Sequence, residues 1–250
     1  MNKYEILKEE FLRSGLSLTK FCKEQSISRT HFTKYLKENN VEIINKQNIA
    51  RMNENVFKVI DTEDKAYWLG FMYADGYVCE DNKIGIGLKE EDYEHLVRFK
   101  EFLEYDGELE YNSKTKSYRV SFRNKSMKED LINLGCVPRK SKVLEFPTYD
   151  IVPKELMIHF IRGYIDGDGY VGNDGKYLRL SILGTESVLK GIINELNLRE
   201  VKIRKANKDG AEEVKSVEWK GRYLEETFET LYKNSTIYLD RKYKKYKEVC

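Results

Sequence analysis

Phe160-Ile-Arg-Gly-Tyr-Ile-Asp-Gly-Asp-Gly169 decides the reading of this chain, because Trp68-Leu-Gly-Phe-Met-Tyr-Ala-Asp-Gly76 repeats its spacing upstream. Gly70 and Gly163 lie 93 residues apart, as do Asp75 and Asp168, and each copy runs straight into Tyr-Val, Tyr77-Val78 or Tyr170-Val171. An internal repeat of this period points to two equivalent halves. Each copy reads as an apolar helix ending on an acid and a glycine, Gly76 or Gly169, with Gly169 expected as a C-terminal helix stop. Gly70 and Ala74 lie four apart, as do Gly163 and Gly167, so each helix has a stripe on which another backbone can lie very close. Packing of these two helices on each other would set Asp75 beside Asp168. Two carboxylates at helix C-termini repel each other and the helix dipoles, and the pair calls for cations. Hard oxygen donors with no His or Cys nearby suit Mg²⁺ better than zinc. Asp166, two residues earlier and roughly 200° round the helix, is expected to point elsewhere and not to be a ligand.

With these residues the chain resembles the LAGLIDADG homing endonucleases of the single-chain, two-motif kind, from about Asn55 to the C-terminus. The second copy fits the motif at Gly163, Asp166, Asp168 and Gly169, while the first has Tyr73 where the motif usually has its earlier acid. The resemblance implies that Asp75, Asp168, Gly76 and Gly169 surround two or three divalent ions, Mg²⁺ being expected. It also implies a monomer that cuts both strands of a long, imperfectly palindromic duplex DNA target, leaves 3′ overhangs and mobilises an intron or intervening sequence. The family places a basic residue from each half beside the metals. Val137-Pro-Arg-Lys140 follows the last helix of the first repeat and Leu239-Asp-Arg-Lys242 that of the second, so Lys140 and Lys242 join Asp75 and Asp168 as the candidate catalytic set. A non-cleaving transcription regulator of the same fold and an RNA maturase for intron splicing are the alternatives.

A chain of 250 residues with 40% hydrophobic and 34% charged residues has ample material for a globular core. No apolar run reaches the ~20 residues of a membrane span, and Met-Asn-Lys-Tyr-Glu lacks a signal peptide's apolar core, so an intracellular (cytoplasmic) protein is expected. Cys22, Cys79, Cys136 and Cys250 have no metal-ligand spacing and are expected as free thiols. The net charge is only +2, yet residues 1–60 hold eleven Lys/Arg against seven acids and residues 231–250 six against two. Each end therefore carries +4 and the middle −6, so DNA binding would lean on shape and specific contacts as well as charge.

The organisation expected is an α/β (α+β) chain of tandem αββαββα repeats with pseudo-twofold symmetry, residues 65–147 and 148–250. A small all-α module, residues 1–45, and a linker, residues 46–64, precede them. In the module, Ser17 and Ser28 are placed to cap the second and third helices. A short turn before a helix bearing Arg29, Thr30, Thr33 and Lys34 resembles a helix-turn-helix and offers those side chains to a major groove. Strand alternation sets Lys83 outward. It puts Arg119, Ser121 and Arg123 on one face of a strand, and Tyr177, Arg179 and Ser181 on one face of its counterpart. Lys202 and Arg204 on a third strand and Lys220 on a fourth complete the expected DNA-contacting set.

Overall fold

The computed structural model describes residues 3–14, 16, 18–41, 50–173, 176–199, 201–206 and 213–248, and it divides into two compact units, Met1–Arg51 and Met52–Cys250. Ser17, the 45/46 boundary and Cys250 lie outside the described residues. None of the helices described is long and apolar enough to cross a membrane. Cys22, Cys79 and Cys136 are free.

The first unit packs α1 (Lys3–Ser14), α2 (Leu18–Glu24) and α3 (Arg29–Glu38) around Leu7, Phe11, Phe21, Phe32 and Leu36. Phe11, Phe21 and Phe32 meet pairwise with ring centroids 5.3–6.0 Å apart, so three aromatic rings stand in for a larger aliphatic core. Between α2 and α3 the chain turns through Ser26 at φ 52°, and Ile27 N donates back to Cys22 O. Ser28 then caps α3 by accepting from His31 N, as expected.

The second unit contains the repeat twice. The first copy is α4 (Glu63–Ala74), β1 (Gly76–Val78), β2 (Lys83–Lys89), α5 (Tyr93–Phe102), β3 (Glu110–Asn112), β4 (Ser117–Arg123) and α6 (Lys125–Asn133). The second is α7 (Met157–Asp168), β5 (Gly169–Asn173), β6 (Leu178–Gly184), α8 (Glu186–Glu195), β7 (Arg204–Lys205), β8 (Lys215–Lys220) and α9 (Leu224–Tyr232), followed by α10 (Asp240–Lys247). Both sheets are antiparallel and have the same order, β1-β2-β4-β3 and β5-β6-β8-β7. The expected α+β architecture of paired αββαββα units is thus the observed one. Caps set by sequence start the helices: Thr62 accepts from Lys65 N, Asn124 from Met127 N and Thr185 from Val188 N.

Three boundaries differ from expectation. Residues 52–62, within the stretch read as linker, belong to the second unit. Val56, Phe57 and Ile60 are buried in its core, and Asn53 N donates to Leu103 O. The surrounding asparagines mask these three apolar side chains in a composition-based reading. The third strand of the second repeat is only Arg204–Lys205, so Lys202 is exposed in the segment before it and not on the strand. Tyr177 likewise immediately precedes β6.

Inward faces of both sheets close over the core through Ile84, Ile86, Val120 and Phe122 in one and Leu178, Leu180, Ile182 and Trp219 in the other. The two motif helices lie between them. A Cβ on Gly70 would stand against Phe160 O, and one on Gly163 against Tyr67 O, so α4 and α7 touch backbone to backbone at these glycines. The small-residue stripes are what permit that approach.

Candidate functional site

α4 and α7 converge at their C-terminal ends. A Cβ built on Gly167 would lie 3.4 Å from Asp75 N, which sets the last turn of α7 beside the residue that closes α4. Asp75 is the C-cap of α4 and Asp168 the last residue of α7. Gly169 is not the left-handed stop expected from the sequence: its φ is −86° and ψ 149°, and the chain enters β5 at once. Space, not backbone conformation, demands glycine there, because a Cβ would stand against Ile165 O. Gly76 is crowded in the same way by Met72.

Each helix end is closed by one lysine from the chain that follows α6 or α9 of its own repeat. Lys140, 7% exposed, donates from Nζ to Ala74 O at 2.7 Å. Lys242, 3% exposed, donates to Ile165 O, Asp166 O and Gly167 O at 2.8, 2.6 and 3.1 Å. Carbonyls of a last helical turn have no intrahelical partner and carry the negative end of the dipole, so an ammonium fits there on both counts. Burial pushes the Lys140 ammonium down from its usual value, while Cys136, Asp168 and Asp75 favour its charged form. Burial likewise lowers Lys242, to about 8, against the attraction of Asp166, Asp75 and Asp168. Both lysines therefore feel both acids. Asp75 is exposed, yet the protein crowded around it raises its carboxyl, opposed by Lys242 and Lys140. Lys140, Asp168, Ala74 and Tyr164 line one pocket at the seam.

Among the described residues no cluster of three or more His, Cys, Asp or Glu forms a metal cage. A cation at the seam would rest on Asp75 and Asp168 with backbone oxygens, a hard donor set. Softer competitors nearby are engaged otherwise. Burial raises the Cys136 thiol to about 11, and it donates to Met72 O at 3.6 Å. Burial lowers His95 to about 3, and its Nε2 shares a 2.9 Å hydrogen bond with Tyr67 Oη. The donor set therefore fits Mg²⁺ better than zinc.

Sequence reasoning missed the buried polar network that supports this end. Asp166, 1% exposed, accepts from Tyr67 Oη at 2.9 Å, Tyr232 Oη at 3.2 Å and Leu239 N at 2.8 Å. Three donors and no acceptor around it mark a carboxylate, which Lys242 and Arg162 also favour although burial pushes its pKa up. Arg162, equally buried, bonds Ile237 O, Leu231 O and Glu63 Oε1 at 2.9, 2.8 and 2.6 Å. Arg241 makes a forked contact with Asp92, at 3.1 and 2.9 Å, and so ties the second repeat to the first. A charged residue inside an otherwise apolar helix, Arg162 above all, was the available signal.

Outward faces of the sheets carry the expected polar residues in register: Lys83 opposite Arg123, and Arg179 opposite Lys220. Arg119, Arg123 and Arg179 are exposed and Ser121 and Ser181 half-buried, all on these faces. Each arginine is matched to an acid. Arg119 pairs with Glu110, Arg123 with Asp81 at 2.8 Å and Arg179 with Glu218 at 2.6 Å. The faces are mosaics of both charges, not the basic surfaces that the outward Lys and Arg positions alone suggest. Each has a concavity, one lined by Gly87, Glu110, Asn112, Ser117 and Arg119, the other by Ser181, Lys202, Arg204, Ser216 and Glu218. In the first unit Arg29, Thr30 and Lys34 are exposed and Thr33 half-buried, with Thr33 Oγ1 donating to Arg29 O.

No family model matches the chain. Over 112 residues, 42% of this chain, it is 34% identical to a probable translation initiation factor IF-2 of Methanocaldococcus jannaschii, and spans 9% of that protein's length. Solved structures similar to it include the I-LtrWI LAGLIDADG homing endonuclease bound to target DNA, at 10% identity over 78% of this chain and 89% of that one, TM-score 0.49. The LAGLIDADG meganuclease I-CpaMI bound to uncleaved DNA is 13% identical over 73% and 89%, TM-score 0.49. I-GzeII in complex with its DNA target is 12% identical over 75% and 88%, TM-score 0.49. In its own motif residues, Gly163, Asp166, Asp168 and Gly169, the chain resembles the LAGLIDADG homing endonucleases.

Proposed function

We propose that the protein is a LAGLIDADG-type, site-specific endonuclease that binds duplex DNA as a monomer across both sheets and hydrolyses one phosphodiester on each strand at the α4–α7 seam. The observation that carries this is the paired set at the helix ends: one terminal acid and one buried lysine from each repeat, each lysine bonded to the last carbonyls of a motif helix and within the field of both acids. A scaffold that only needed two packed helices would not bury two ammonium groups beside two carboxylates, because each buried charge must be compensated.

Asp75 and Asp168, with the backbone at Gly76 and Gly169, would hold the divalent ion, which when bound supplies Lewis-acid charge and a more acidic water. The chain's own groups do the remainder. Lys140 and Lys242 offset the negative charge that builds on the reacting phosphate, and they hold the helix ends in place by their bonds to the last carbonyls. Arg119, Arg123, Arg179 and Lys220, with Ser121 and Ser181, meet the grooves and backbone of the duplex. The first unit contacts flanking DNA through Arg29, Thr30, Thr33 and Lys34 and contributes affinity without chemistry. One break per strand fits the single acid that each repeat supplies. Cleavage with 3′ overhangs and mobility of a host intron or intervening sequence follow from the same resemblance.

The test is selection of cleaved sites from a random duplex library with Mg²⁺, followed by plasmid cleavage at the selected site with and without chelator. Recovery of one long site, cut on both strands only when the divalent ion is present, supports the reading. Binding to a unique site with no nick in either strand would leave a DNA-binding regulator of this fold.

A further inference from the structure

Two residues before each terminal acid stand Tyr73 in α4 and Asp166 in α7, a position where the repeats differ in chemical kind. Both side chains are buried, and both bond to the segment that leads to their repeat's lysine. In the first repeat Tyr73 Oη donates to Leu134 O. The next residue, Gly135, has φ 92°, and a Cβ on it would stand on the Tyr73 hydroxyl, so this glycine makes room for the contact. Cys136 Sγ donates to Met72 O from the same stretch. Four residues on, Lys140 Nζ reaches Ala74 O.

In the second repeat the polarity is reversed. Asp166 Oδ2 accepts from Leu239 N, and Leu239 is the residue on which α10 starts: its carbonyl accepts from Lys242 N at 2.9 Å. Asp166 Oδ1 holds the end of α9 through Tyr232 Oη. A hydroxyl donor meets a peptide carbonyl in one half, and a carboxylate acceptor meets a peptide N–H in the other. Each side chain is the complement of the backbone group its own arm presents. A position that only filled the core would be met by an apolar side chain of similar volume at less desolvation cost.

We propose that Tyr73 and Asp166 are positioning residues, each anchoring the arm that delivers one lysine, Lys140 or Lys242, to the paired acids, and thereby each governing the cleavage of one strand. The inference rests on the nuclease reading for its strand-specific consequence, and on the two anchoring contacts for its structural one.

Single-turnover cleavage by the full chain with Mg²⁺, on a duplex labelled separately on each strand, tests the first. Tyr73→Phe removes only a hydroxyl and should slow the strand that Lys140→Ala slows, by roughly threefold to tenfold, the scale of one hydrogen bond. Asp166→Asn, which keeps the shape and one acceptor, should slow the other strand, the one that Lys242→Ala slows. Added to Lys242→Ala, Asp166→Asn should have no further effect on that strand, whereas a general structural loss would multiply with it. Equal slowing of both strands, or multiplying effects, overturns the proposal. Should Asp166→Asn fail to fold, the Tyr73→Phe and Lys140→Ala pair decides alone. Amide exchange on metal-free protein tests the anchors without cleavage: protection should fall in residues 134–140 for Tyr73→Phe and in residues 237–243 for Asp166→Asn. Unchanged exchange there overturns the anchors even if the enzyme cuts. Altered exchange in a protein that cuts no duplex would instead overturn the nuclease reading.

Discussion

The two repeats place the same chemistry at the ends of α4 and α7 and support it with different groups. In the second repeat a buried carboxylate, Asp166, accepts from Tyr67 and Tyr232 while its carbonyl accepts from Lys242, and a buried guanidinium, Arg162, pairs with Glu63. In the first, the corresponding support is a phenol, a thiol and the peptide backbone: Tyr73, Cys136 and Leu134. The terminal acid, the following glycine and the capping lysine are the features the two halves share. What the comparison teaches is where equivalence is needed. Under the nuclease reading, chemistry at the seam would fix the last turn of each helix, while any arrangement that satisfies the buried polar groups can stand behind it.

The strongest way to break that comparison is to remove the shared acids. Asp75→Asn or Asp168→Asn should reduce double-strand cleavage by roughly a hundredfold to a thousandfold or more, since on the proposed reading each would delete a charged ligand from a two-carboxylate site. Folding should be intact, because neutralising an acid at a helix C-terminus relieves repulsion with the dipole. Wild-type rates in either variant, with thermal unfolding unchanged, would remove the acids from the mechanism.

Next in size is the packing on which both halves depend. Gly70→Ala and Gly163→Ala each drive a methyl into the opposing backbone, and should cost about 3 kcal/mol or prevent folding, read as a shift in urea midpoint. Gly87→Ala is the control. Its nearest atom outside neighbouring residues is Tyr118 O at 3.7 Å, so a change within about 0.5 kcal/mol is expected. Equal effects at the three sites would mean that the α4–α7 contact is not as close as described.

The lysines come third. Lys140→Ala and Lys242→Ala should slow cleavage roughly tenfold to a hundredfold at nearly unchanged affinity, as charge offset lost near the reacting phosphate would. If affinity falls uniformly and the rate at saturating enzyme does not, they are phosphate anchors. Removing the first unit should have a smaller effect. A fragment Met52–Cys250 keeps both acids, both lysines and both sheets, and should still cut, with weaker binding, a shorter footprint and a shallower salt dependence. Arg29→Ala in the full chain should weaken binding by about 1–3 kcal/mol if it reads a base edge. The same footprint for fragment and full chain would assign the module to another partner.

Much of this could be read from the sequence because the informative positions are local. Spacing of glycines and acids in 68–76 and 160–169 reports helix packing and its end directly, and period-two alternation in 83–89, 117–123 and 178–184 reports strands. Lys140 and Lys242 were legible because the duplication repeats them. What could not be read depends on pairing across long separations. Asp166 meets Leu239, Arg241 meets Asp92 and Arg162 meets Ile237, contacts that span 73, 149 and 75 residues. The apolar helix around Arg162 and Asp166 marks them as buried, but nothing in the local pattern names the partner that each of these side chains meets. The ion pairs on the sheet faces were hidden for the same reason, since alternation gives the face of a residue but not its neighbour on the next strand.

Those ion pairs give the mildest prediction and compare the halves a second time. Arg119–Glu110 and Arg179–Glu218 are each about half exposed, so neither contributes more than about 1 kcal/mol to stability, and their removal should leave the urea midpoint almost unmoved. Their effect on DNA should be larger than on folding. Each glutamate presents a negative charge to the phosphates and occupies an arginine that could otherwise reach a phosphate or a guanine edge. Glu110→Gln and Glu218→Gln should therefore tighten binding to non-specific duplex by a few-fold and steepen its salt dependence by about one unit, with little gain for the selected site. Specificity, measured as the ratio of the two affinities, should fall in both variants. If instead Glu218→Gln weakens the selected site and leaves non-specific binding alone, that glutamate itself accepts a hydrogen bond from a cytosine amino group, and the two sheets read DNA by different means.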